Sequence, residues 1–106
     1  MKEIVELLIQ NRIVLKSLEE IDKTVLGTKK KVRIFGGINE KGYYCVIFRI
    51  EQKSRILTKQ IAEYIELEQK LETIKNHAYR YKYFIFEAPI CSKAVKYIKD
   101  NNWKIL

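Results

Sequence analysis

Glu51 and Lys53, in the stretch YYCVIFRIEQKSR at 43–55, are the residues whose types and spacing best suit chemistry. On a strand, residues i and i+2 point to one face, so this carboxylate and this ammonium would project together. A carboxylate supplies the hard oxygen that a divalent cation prefers. An ammonium stabilises negative charge as it develops on a phosphate. The alternative is a buried strand that emerges into water and becomes charged there. The run at 43–48, rich in β-branched and aromatic side chains, is the best strand in the chain. The same Glu-x-Lys spacing recurs at Glu68 and Lys70, inside a helical segment, where a solvated face is expected.

Other elements must position this pair. Residues 2 to about 26 read as a helix, since Ile4, Leu7, Leu8, Val14, Leu18, Ile21 and Val25 recur three or four apart. Gly27 is a suitable stop, and Asn11 with Arg12 is compatible with a kink or a break. Val32, Ile34 and Phe35 suit a strand, Gly36 and Gly37 a bend or bulge, and residues 39–42 a turn, which makes an antiparallel hairpin with the strand after it. A long helix follows, capped by Thr58 and carrying Ile61, Ile65, Leu71 and Ile74 along one face, to end near Asn76 and His77. Residues 79–87 form a third strand that Pro89 ends. A short helix opens at Ser92, with Ala94, Val95 and Ile98 inward, and residues 103–106 form a last strand. The order is α-β-β-α-β-α-β, an α/β fold with a mixed central sheet flanked by helices. One domain spans 1–106, with an N-terminal helix at 1–27 and a sheet core at 28–106.

The composition narrows the function classes. A chain of 106 residues supports one modest core. The formal net charge of +8 attracts polyanions without sequence preference. Two cysteines make no disulfide scaffold, and a single histidine argues against a Cys/His zinc site or a Ser-His-Asp triad. Gly36 and Gly37 are not followed by a helix or a P-loop lysine. No apolar run is long enough for a membrane span, and the acids of MKEIVELLIQNR argue against a signal peptide, so a cytoplasmic location is expected.

The stretch IEQKSR, the helical LTKQIAEYIELEQKL and the closing KYFIFEAPICSKAVKYIKDNNWKIL, taken in this order, resemble the core of the PD-(D/E)xK nuclease superfamily. That superfamily includes restriction-endonuclease-like, Holliday-junction-resolvase-like and archaeal RecB-like nucleases. The resemblance implies a restriction-endonuclease-like sheet, DNA as partner and, in an active member, cleavage assisted by Mg²⁺. It makes Glu51 a metal ligand and Lys53 the catalytic lysine. The family's second carboxylate is an aspartate on the first hairpin strand. Here Arg33 aligns with it, no acid lies between Asp22 and Glu40, and closing the hairpin at Glu40 and Lys41 places Lys30 opposite Glu51. Glu3, Glu6, Glu19, Glu20 and Asp22 are the acids that the first helix could contribute instead.

Lys29, Lys30, Lys31 and Arg33, joined by Arg49 and Arg55, are the expected phosphate contacts, because they converge where a nuclease-like fold places its substrate. The alternation in YRYKYF at 79–84 reads as ordinary strand patterning more readily than as a base-stacking surface. His77 is expected to interact with the helix C-terminus beside it. The broad apolar face of the first helix is compatible with a homodimer. A relative without catalytic activity, acting as a DNA-binding protein or a protein–protein adaptor, is the alternative function.

Overall fold

A five-stranded sheet in the order β1-β2-β3-β4-β5 divides the protein into two apolar layers. It is built from β1 (Leu15–Ile21), β2 (Val32–Asn39), β3 (Tyr44–Ile50), β4 (Tyr81–Phe86) and β5 (Lys104–Ile105). The computed structural model describes residues 2–106. β1, β2 and β3 run antiparallel, and β3, β4 and β5 run parallel. The helices are α1 (Lys2–Gln10), α2 (Thr58–Lys75) and α3 (Ser92–Asp100). The crossovers β3-α2-β4 and β4-α3-β5 both step one strand along the sheet. Both helices lie on one face, as successive crossovers of one hand require. The short α1 covers the other face with Ile4 and Leu8.

The expected helix at 2–26 is three elements instead. α1 stops at Gln10, and Arg12 adopts a left-handed backbone at φ 59° that no helix continues through. The chain then forms β1 and a 3₁₀ turn at Lys23–Leu26, which the side chain of Asp22 caps by accepting from Thr24 N at 3.0 Å. The helical spacing of Leu15, Leu18 and Ile21 has a specific cause. A bulge between Leu15 and Ser17 inserts a residue, so Leu15 and Leu18 share the α1 face although they are three apart. Ile21 is buried on the opposite face. The element order therefore gains an edge strand ahead of the expected hairpin. Gly37 makes the bulge possible, because a Cβ there would stand 2.4 Å from the carbonyl oxygen of Ser17.

Alternation along the strands sorts the core. Val46, Phe48 and Ile50 of β3 face α2 and α3 together with Phe84 and Trp103, whose rings stack at 4.1 Å. Cys45 and Ile47 face α1 with Phe35, Tyr83 and Ile85. Neither expected helix cap holds. Leu57 precedes α2, its N–H donating to the Gln60 side chain at 2.9 Å, and the Cys91 thiol caps α3 by accepting from Ala94 N at 3.4 Å. Thr58 and Ser92 are the first helical residues.

The Glu68 face of α2, expected in water, is buried. Glu68 is wholly inaccessible. It meets Lys82, which reaches from β4 to Glu68 Oε1 at 2.9 Å and Glu72 Oε2 at 3.4 Å. Burial, reinforced by the bond to Glu72, pushes the Glu68 carboxyl up to about 7, and Lys82 opposes the rise. Glu68 Oε2 is buried with no hydrogen-bond partner, and the contact with Glu72 adds to burial in favouring the protonated carboxyl. Glu72 is desolvated too, but bonds from Glu68 and the Tyr79 N–H outweigh that and hold it below the usual range.

A carboxyl whose folded pKa is raised binds a proton more tightly in the native state. Its contribution is present below the unfolded pKa and is lost as pH rises through about 7. Urea titrations should therefore show stability falling by about 1–3 kcal/mol from this group between roughly pH 4.5 and 7.5. Glu68→Gln should flatten that part of the profile. A wild type and a Glu68→Gln variant whose profiles run parallel across this window would contradict a raised Glu68 carboxyl.

Candidate functional site

The hairpin register brings charge to one corner of the sheet. Arg33 and Arg49 pair directly across β2 and β3, and the alternation that turns Phe35 and Ile47 toward α1 turns both arginines the same way. Beyond the paired residues, Glu51 N donates to Lys31 O at 2.8 Å. Lys31 rather than Lys30 therefore lies opposite Glu51, one residue from the expected register.

Arg49 is the centre of the corner. Its side chain is 9% exposed, and carboxylates from three separate segments surround it. Glu3 of α1 accepts from Nε at 2.9 Å and from Nη2 at 3.3 Å. Glu87, just after β4, accepts from Nη2 at 2.5 Å. Glu51 Oε2 lies 3.7 Å from Nη1. The bond to Glu3, with that to Glu87, holds the Arg49 charge more firmly than usual despite its burial. Glu87 is held below the usual carboxylate range by Lys53 and then Arg49. Beside this cluster, Arg33 grips Glu20 of β1 with two bonds, at 3.0 and 2.8 Å, which lower the Glu20 carboxyl.

Glu51 and Lys53 do not form the expected same-face pair. β3 ends at Ile50, so both residues sit in the irregular segment 51–57, where strand alternation no longer applies. Lys53 is 82% exposed and bonds Glu87 at 2.8 Å rather than turning to Glu51. The two are linked through the relay Glu51, Arg49, Glu87, Lys53. The expected phosphate contacts also divide. Lys30 bonds Glu63 at 3.3 Å, and Arg33 and Arg49 are satisfied by acids. Lys29, Lys31 and Arg55 are exposed, and their side chains make no ion pair among the described residues.

Among the acids considered for the N-terminal segment, Glu3 and Glu20 reach the corner, from a helix and a strand respectively. Glu87 was not anticipated. Its signal was its place at the C-terminal end of the strand beside β3. The His77 N–H donates to Glu72 O at 3.2 Å at the C-terminal end of α2, as expected of its place, while its ring stacks on Tyr44 with centroids 3.7 Å apart. In YRYKYF, Tyr81 and Tyr83 lie on the α1 face, Tyr79 is buried on the other side, and Lys82 turns inward to α2.

The divalent ion that a nuclease-like fold implies does not fit the residues present. A depression of about 450 Å³ beside Glu51 is lined by Glu20, Asp22, Lys23 and Arg33. Its acids are already engaged, Glu20 by Arg33 and Asp22 by the 3₁₀ turn. Glu3 and Glu87 are separated from Glu51 by the Arg49 guanidinium that all three meet. No group of three or more His, Cys, Asp or Glu side chains is placed to hold a metal among the described residues.

Comparison with known proteins bears on this geometry. No protein-family model matches the sequence, and no curated protein does. Among solved structures, the chain is similar to EndoMS in its apo form, with a TM-score of 0.57 and 13% identity over 98% of this chain and 44% of that one. It is also similar to a repair endonuclease from Pyrococcus abyssi, with a TM-score of 0.54 and 12% identity over the same shares. The chain thus spans less than half the length of either protein. The likeness to EndoMS and to the repair endonuclease is one of fold, in this chain a mixed five-stranded sheet with three helices. No helix among the described residues is long and apolar enough to cross a membrane.

The arginine centre carries a stability prediction. Arg49→Ala would leave Glu3, Glu51 and Glu87 without their shared cation, whereas Arg33→Ala breaks a single half-exposed pair. Urea denaturation should show a loss of about 1–3 kcal/mol for Arg49→Ala and less than about 1 kcal/mol for Arg33→Ala. Arg49→Lys should recover little, since one ammonium lacks the fork that meets several carboxylates. Equal losses at positions 33 and 49 would refute the central role of Arg49.

Proposed function

We propose that this protein binds nucleic acid through a nuclease-like fold, and that Arg49 stands where a divalent ion would otherwise act. The observation that carries the reading is the convergence of Glu3, Glu51 and Glu87 on one buried guanidinium. A covalently tethered cation neutralises the carboxylates and repels a second cation from the same place. It offers no exchangeable water to activate, so Glu51 and Lys53 lack the partner that metal-assisted cleavage requires. DNA as the bound polymer is supported by the net charge of +8 and by the fold shared with a repair endonuclease. In this reading Glu51 organises Arg49, and Lys53 organises Glu87.

A gel-shift and cleavage experiment tests both halves. The protein should retard single-stranded or duplex DNA at low salt, and the shift should disappear as salt rises. Supercoiled, branched and single-stranded DNA should remain intact in Mg²⁺ or Mn²⁺. Cleavage that Glu51→Ala abolishes would overturn the non-cleaving reading. Failure to bind any DNA or RNA at low salt would overturn nucleic-acid binding and favour a protein–protein adaptor.

A further inference from the structure

Ion pairing changes where the excess positive charge is available. Around the hairpin corner Lys30, Arg33, Arg49 and Lys53 have carboxylate partners, and of the expected contacts on the hairpin's first strand and its entrance Lys29 and Lys31 remain unpaired among the described residues. By contrast, Lys93, Lys96 and Lys99 of α3 and Lys104 of β5 are exposed and make no ion pair among the described residues. The acid in this stretch is Asp100, one turn after Lys96, and it is not paired either.

The placement of the lysines follows from how α3 is anchored. Ala94 and Ile98 are buried against the sheet, which leaves positions 93, 96 and 99 on the outer surface. Their spacing of three spreads the charges over roughly 9 Å of helix. The loop after β3 continues the run. Ile56 N donates to Pro89 O at 2.9 Å and Cys91 N to Ile56 O at 3.3 Å, so this loop lies alongside the approach to α3. Exposed Arg55 therefore stands next to the N-terminal end of the helix. Glu87, which ties Lys53 to Arg49, precedes that same approach. The charges extend from the Arg49 corner along α3 to the edge strand β5.

We propose that Arg55, Lys93, Lys96, Lys99 and Lys104 form a band that tracks the phosphate backbone of a nucleic acid. This rests on the nucleic-acid-binding reading and gives it a surface other than the hairpin entrance. Flexible, fully hydrated lysines with no competing carboxylate release phosphate counterions on contact. They position a strand without reading its sequence.

Fluorescence anisotropy with labelled single-stranded and duplex DNA, from about 50 to 200 mM salt, tests the band. The comparison is between the full-length wild type, the triple variant Lys93→Gln, Lys96→Gln, Lys99→Gln, and a control, Lys16→Gln, Lys41→Gln, Lys75→Gln. The control removes equal charge from exposed positions outside the band. Thermal melting should show all three proteins folded. The α3 variant should lose at least about tenfold in affinity at low salt, and its log–log salt slope should shrink by about 2–3. The control should lose much less. Equal losses in the two variants, or an unchanged α3 variant, would overturn the band while leaving nucleic-acid binding intact. A wild type that binds neither DNA, nor a labelled RNA of the same length, at low salt would overturn both. Binding to anionic vesicles or acidic peptides in place of DNA would assign the band to a different partner and refute the proposal.

Discussion

A guanidinium removed from water must be met by carboxylates, and at Arg49 that requirement organises one end of the molecule. Arg49 projects from a central strand onto the face that holds Ile47 and Ile85, where an unpaired charge would be strongly destabilising. Its partners come from α1, from the exit of β3 and from the exit of β4, segments far apart in the chain. Glu3 therefore does for α1 what Ile4 and Leu8 alone could not. It gives a nine-residue helix a directional attachment to the sheet. Glu87 passes the constraint outward to Lys53, so the loop after β3 is held by the same charge.

The opposite face solves a similar problem at the other end of the parallel strands. Lys82 points from β4 toward α2, and Glu68 and Glu72 meet it there. Two acids around one ammonium leave an extra negative charge beside the inaccessible Glu68. The raised Glu68 carboxyl relieves it by keeping a proton. Arg49 and Lys82 thus fasten a helix to each face, α1 on one side and α2 on the other. With so many of its acids spent on these attachments, the chain carries much of its excess of +8 on exposed lysines.

The same accounting separates fold from reaction. The sheet order, the parallel crossovers and the likeness to EndoMS and a repair endonuclease describe a nuclease-like fold. A metal-assisted reaction would further need several carboxylates facing one open point. Three carboxylates do face one point here, but it holds an arginine side chain. The fold depends on apolar alternation and crossover handedness, neither of which requires a metal ion at that point.

By itself, the sequence determined the elements whose pattern has one physical meaning. The apolar run into Phe48 could only be a central strand, the periodicity of Ile61, Ile65 and Leu71 a helix, and the turn at 39–42 a hairpin. It also supplied Glu51, Lys53 and Arg33 as the points of chemical interest. Tertiary structure decided the rest. Leu15 and Leu18 share a face because of a bulge, which mimics helical spacing and hid β1. Glu68 looked solvated until Lys82, on a strand fourteen residues later, turned inward to meet it. Which carboxylates surround Arg49 was not legible, because Coulomb attraction acts between groups close in space, and Glu3 and Glu87 lie at opposite ends of the chain.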